Sequence, residues 1–189
     1  MAASAFALCL VSALFSPEVA GGADFPPPPS GYSWKACRAA QGALLLPRGW
    51  FFREETKGDA GACFVSREST AGGSRYEVGL LVRVLRDLPK KTGLAPSQWA
   101  SEYLKQSTRK HEVVRQSQGP QGPFFAYRLE SRSTLPPREK ALHTYTLLIA
   151  NDQTGTLFLV VAEAPESQWR EAWRTLEPVL KMLLLDNEI

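Results

Sequence analysis

The chain has 189 residues, 44% of them hydrophobic, 10% aromatic and 22% charged, proportions that exclude a disordered, collagenous or coiled-coil protein. Twenty-two Lys and Arg against nineteen Asp and Glu leave a formal charge of +3. That excess does not by itself make the basic stripe of a nucleic-acid binder, so no nucleic-acid partner is expected. Three Cys and two His leave little material for a metal site, and none is assigned.

Residues 5–15 (AFALCLVSALF) are uncharged and apolar and are followed by Ser16, Pro17 and the small residues Ala20, Gly21, Gly22 and Ala23. The run has the length of a secretory h-region with its cleavage region, whereas a membrane-spanning helix needs about 20 apolar residues. Residues 1–23 are therefore read as a signal peptide and the protein as exported, periplasmic or extracellular, although no Lys or Arg precedes Ala5 to form a basic n-region. Cys9 is not read as a lipidation site, because Leu8 stands where a small residue belongs. Residues 24–31, with Pro26 to Pro29, read as a stiff spacer of polyproline II type. One domain is expected over 32–189. Two cysteines remain after cleavage, Cys37 and Cys63. In an oxidising compartment they are assigned as a disulfide, which would contribute about 3 kcal/mol in the chain-entropy model. The alternative is a pair of separate buried thiols, since free Cys packs like a small apolar side chain.

Residues 44–53 (LLLPRGWFFR) read as one extended segment bent at Pro47 and Gly49, followed by a strand over 62–67 and a turn at 71–74. Over 76–88 the sequence alternates, with Tyr76, Val78, Leu80, Val82 and Val84 on one face and Glu77, Gly79, Leu81, Arg83, Leu85 and Asp87 on the other. The second face is only partly polar, which predicts a strand covered on both sides. Pro96 opens a helix with Trp99, Ala100, Tyr103, Leu104 and Ser107 along one stripe. Four strands follow, over 112–117, 123–132, 141–150 and 156–163, and the link Asn151, Asp152, Gln153, Thr154, Gly155 makes the last two an antiparallel hairpin. An amphipathic helix over 166–184 closes the chain, its stripe formed by Trp169, Ala172, Trp173, Leu176, Val179, Leu180 and Leu183. Pro178 falls on its solvent side and should kink it, or else divide it into two short helices meeting at Glu177.

This order of elements predicts an α+β domain, an antiparallel sheet of six to seven strands with helices on both faces. The turn Pro47-Arg48-Gly49-Trp50, the strand Ala62-Cys63-Phe64, the G-L-x-V-x-V strand from Gly79 to Val84 and the closing helix near Trp169 resemble the PsbP-like domains. These are lumenal photosystem II proteins and extracytoplasmic bacterial relatives. The resemblance implies an antiparallel sheet flanked by helices and an accessory or assembly role without catalysis. It implies no particular site residue, and a photosynthetic role does not follow from fold analogy.

No H-E-x-x-H, C-x-x-C, G-x-S-x-G, G-x-G-x-x-G or Walker sequence occurs. His111 follows Arg109 and Lys110 where a helix should end and reads as a cap, and His143 reads as a strand residue paired across the sheet. No catalytic residue and no cofactor is assigned. The alternative of an enzyme would have to assemble its site from His143, Tyr145 or Cys63. The aromatic runs Trp50-Phe51-Phe52 and Phe124-Phe125-Ala126-Tyr127 are read first as core, since alternation along each strand buries every second residue and leaves the rest for flanking helices. The alternative is a hydrophobic groove for an apolar ligand or partner, whose interaction surface would be Phe52 and Phe124, each out of phase with buried neighbours. The expected role is an exported, non-enzymatic accessory or binding module of the cell envelope, a monomer with a protein partner and at most peripheral membrane contact. A carrier of a small apolar molecule or lipid is the alternative, and it requires an enclosed cavity.

Overall fold

A computed structural model describes residues 25–57, 60–71, 75–134 and 141–186. The region read as a signal peptide lies outside the described residues. Ten strands form two antiparallel sheets. Strands β1 (Tyr32–Cys37), β2 (Gly42–Pro47) and β10 (Leu184–Leu185) make a small one in the order β1-β2-β10. The other strands are β3 (Phe51–Lys57), β4 (Ala60–Ser66), β5 (Gly79–Leu85), β6 (Glu112–Gln121), β7 (Phe124–Thr134), β8 (Ala141–Asn151) and β9 (Thr156–Pro165). They make a seven-stranded sheet in the order β3-β4-β5-β9-β8-β7-β6.

Every strand of the large sheet pairs antiparallel with its neighbours, and alternate residues feed two separate cores. On one face Val65, Leu80, Val82, Val84, Leu147 and Phe158 pack under Leu44 and Leu45 of β2 and under helix α3 (Trp169–Lys181). On the other face Tyr127, Leu129, Leu148 and Leu157 pack under Ala100 and Leu104 of helix α2 (Pro96–Lys110) and Leu88 of the short helix α1 (Leu88–Thr92). The fold is therefore α+β with helices on both faces of an antiparallel sheet. Among the described residues no helix is long and apolar enough to cross a membrane.

Several elements differ from the sequence reading. The single extended segment 44–53 is two strands in different sheets, because the chain turns at Gly49 (φ 79°), with the amide of Trp50 donating to the carbonyl of Pro47 at 3.1 Å. The small sheet is completed by β10, where the closing helix was expected to run on. Helix α3 is shorter than 166–184: a one-turn 3₁₀ helix at Glu166–Gln168 precedes it, and the helix continues through Pro178 without dividing. The long alternating strand narrows to Gly79–Leu85, since Asp87 takes a left-handed conformation (φ 53°) and turns the chain into α1.

Helix α2 begins at Ala95, which has no side chain to cap it. Asp152, in the turn between β8 and β9, supplies the cap instead: its Oδ1 accepts the amide of Ser97 at 2.8 Å and its Oδ2 the Ser97 hydroxyl at 2.5 Å. The 3₁₀ turn Arg38–Ala40 lies directly on β4 and β3, and Cys37 beside it is bonded to Cys63 of β4 across a Cα separation of 6.0 Å. At the start of the described chain Phe25 stacks on Trp34 with centroids 5.0 Å apart, and the Trp34 indole donates to the carbonyl of Pro26 at 2.7 Å.

Candidate functional site

The two expected surface rings do not form a surface. Phe124 is only 3% exposed and packs edge-to-face on Phe158, with centroids 6.5 Å apart. Phe52, opposite Val65 in register, is half-buried against the same core. The inference from phase fails because the sheet is covered on both faces, so a residue out of phase with one core is in phase with the other. The exposed ring of the first run is Phe51, at 46%.

Polar and aromatic groups converge elsewhere, on the sheet face that carries α3. There a small groove lies between α3 and strands β7 and β8, which supply its lining. Odd-numbered residues of β8 and even-numbered residues of β7 share this face, as the pairing of Arg132 with His143, Glu130 with Tyr145 and Arg128 with Leu147 places them opposite one another. His143 is buried at 2%. Its ring stacks on Trp169 at 4.1 Å with an interplanar angle of 8°. Trp169 tilts against Trp173 at 5.1 Å, and Trp173 against Tyr145 at 4.9 Å. Four rings thus run from the buried imidazole out to the groove, held by alternation along β8 and by the helical spacing of Trp169 and Trp173.

Both nitrogens of His143 are committed to carboxylates, Nδ1 to Glu166 Oε2 at 2.6 Å and Nε2 to Glu130 Oε1 at 2.9 Å. Arg132 Nε lies 3.1 Å from Glu166 Oε1, and its Nη1 donates to Glu112 Oε1 at 3.4 Å. At the other end of the ring series Arg128, Tyr145, Leu147, Trp173, Glu177, Leu180 and Lys181 line a pocket of about 10 Å³, the volume of a single water. Burial pushes the Tyr145 phenol above its ordinary pKa, more than the neighbouring Arg128 guanidinium lowers it. This tyrosine is a hydrogen-bonding phenol and not a base.

The three residues of the enzyme alternative are therefore not brought together as a catalytic set. Cys63 is bonded to Cys37 and so is neither a thiolate nor a ligand, although Glu54 offers a carboxylate oxygen within 4.8 Å of both sulfurs. His143 and Tyr145 share a face, but neither imidazole nitrogen is left to meet a substrate. His111 sits at the end of α2, its amide donating to the carbonyl of Ser107 at 3.1 Å. Sequence reasoning missed Glu130, Arg132 and Glu166, and with them the partnership of Trp169 with His143. The signal was available only in part, since Glu130 and Arg132 stand in the polar run Glu130-Ser131-Arg132-Ser133 and read as solvent-facing residues would.

No family model matches the chain, and no curated protein matches it. Solved structures do match it in shape. The solution structure of cyanobacterial PsbP (CyanoP) from Synechocystis sp. PCC 6803 superposes with a TM-score of 0.53 at 13% identity, over 90% of this chain and 99% of that one. The chain has a PsbP-like fold. The crystal structure of the Saccharomyces cerevisiae Ran-binding protein Mog1p matches with a TM-score of 0.51, also at 13% identity, over 83% of this chain and 97% of its own. At such identities the PsbP-like likeness concerns the fold, and the His143 cluster and the groove stand on this chain's own residues.

Proposed function

We propose that the chain is an exported, non-enzymatic accessory or binding module of the cell envelope, and that it engages a protein partner through the groove between α3 and strands β7 and β8. The observation that carries this reading is the pair Trp169 and Trp173, half-buried on an otherwise amphipathic helix beside Arg128 and Lys181. Trp and Arg supply most of the binding energy in protein interfaces, and a strand and a helix hold them in place before a partner arrives. Occupied nitrogens on His143 speak against a general base. The pocket of about 10 Å³ is too small for a lipid tail or a drug-sized ligand. Export is supported by the apolar run over 5–15 and by the disulfide, which belongs to oxidising compartments. Among the solved structures that share the fold, Mog1p is described as Ran-binding.

The test is mild crosslinking of the tagged protein in its native envelope, followed by identification of what is captured. A defined protein captured by wild type, lost with Trp173→Ala and retained with Phe51→Ala, is the expected result. Equal capture by wild type and Trp173→Ala would remove the groove from the reading. Recovery of a lipid or metabolite without any protein would favour a carrier.

A further inference from the structure

We propose that Glu130, His143 and Glu166 form a proton-operated latch that fastens the start of α3 to the sheet. A carboxylate only accepts hydrogen bonds, and a neutral imidazole has a single N–H. The contacts of 2.6 Å and 2.9 Å from the two ring nitrogens are therefore both hydrogen bonds only when the three groups share two protons. With one proton, a nitrogen lone pair of the buried ring faces a carboxylate lone pair, and that contact becomes repulsive.

The surrounding charges set the balance. From β7 come Glu130 and Arg132, the latter directly opposite His143. From β6 come Glu112, paired with Arg132, and Arg115, opposite Glu130. From the 3₁₀ turn comes Glu166, and on β8 itself Tyr145 lies two residues along. Strand β9 contributes only the uncharged Ala164 opposite His143. Arg132 and a doubly protonated triad neutralise the two carboxylates, and loss of one proton leaves an unbalanced negative charge.

Glu166 is the arm that gives way. Its side chain is 38% exposed on a one-turn helix, whereas Glu130 is 20% exposed on a strand paired on both sides. Helix α3 has no side-chain cap of its own at Gln168, so its start is held by Glu166 on His143, by Trp169 stacked on the same ring and by Arg67, whose Nη2 donates to Gln168 Oε1 at 2.6 Å. Releasing Glu166 frees the 3₁₀ turn and the first turn of α3, and with them the closed end of the ring series. The latch does not depend on the groove binding any partner.

Hydrogen–deuterium exchange of the full-length protein between about pH 5 and pH 8.5 tests it once intrinsic exchange rates are divided out. Protection of the amides over 169–175 should fall about tenfold from one end of that range to the other, the change expected for loss of one charge-assisted hydrogen bond from a local opening equilibrium. In Glu166→Gln the amide side chain can accept from or donate to the ring, so the dependence on pH should vanish with the fold intact. His143→Gln should behave likewise. Unchanged protection across the range in wild type, or the same pH dependence in Glu166→Gln as in wild type, would overturn the proposal. If His143→Gln does not fold, Glu166→Gln decides the matter alone.

Discussion

Gly61 has no side chain because the carbonyl of Ala39 occupies the place a Cβ would take. The 3₁₀ turn after β1 can approach the large sheet only at a glycine, and the neighbouring disulfide fixes the approach. Gly61→Ala would have to move backbone, which costs about 1–3 kcal/mol or more as overpacking does. Chemical denaturation of this variant should therefore show a clear fall in midpoint, while Gly119→Ala, with open space around its Cα, should show little change. At the same scale Tyr76 records burial in its ionisation. Its phenol is pushed far above the ordinary value of 10.0 by burial first and by the nearby Glu163 second. Tyr145, Tyr127 and Tyr32 are raised in the same direction, also chiefly by burial. A group whose pKa is higher folded than unfolded holds its proton more tightly in the native state. Its contribution to stability is complete below about pH 10 and is lost as pH rises beyond that. Urea midpoints should fall steeply on the alkaline side in wild type and less steeply in Tyr76→Phe, and a parallel fall in the two proteins would contradict this assignment.

Among the elements, α2 depends on a cap borrowed from a distant turn. Asp152→Ala removes both hydrogen bonds to Ser97 and should destabilise by about 1 kcal/mol, the usual cost of losing an N-cap. Asp152→Asn should keep most of it, and a thermal melt separates the two. The disulfide acts between elements, tying the end of β1 to β4 over a separation of 26 residues. Cys63→Ser should cost about 2–4 kcal/mol, and reduction should add 2 Da in intact-mass measurement of the wild-type chain. Alternation along β5 and β7 and the stripe on α3 were legible in sequence because each follows the period of its own element. Strands β1 and β10 were not. Tyr32–Cys37 alternates only over Tyr32, Ser33, Trp34 and Lys35, a stretch too short beside the proline run to declare a strand, and Leu184–Leu185 is too short to show any period. The groove was legible only through its tryptophans: Glu130, Arg132 and Glu166 look like surface charges until pairing brings β7, β8 and the turn before α3 together around His143.

At the scale of the molecule, the large sheet consists of two meanders joined along one seam. Strands β3, β4 and β5 follow one another through 51–85, and β6, β7, β8 and β9 through 112–165, and the two sets meet only where β5 pairs with β9. In that seam Gly79 lies opposite Glu163 and Leu85 opposite Leu157, so its contacts span about half of the domain in sequence. Closing so long a loop is an entropic cost that must be met before the pairing returns anything, which makes the seam a late event in folding. Until β9 arrives, β5 has a bare edge whose side chains are apolar on one face and, but for Arg83, on the other. A chain emerging from a membrane pore with its N-terminus first would hold that sticky edge open until nearly its whole length had crossed. A holding chaperone that meets this protein in transit would therefore find its foothold on Gly79–Leu85.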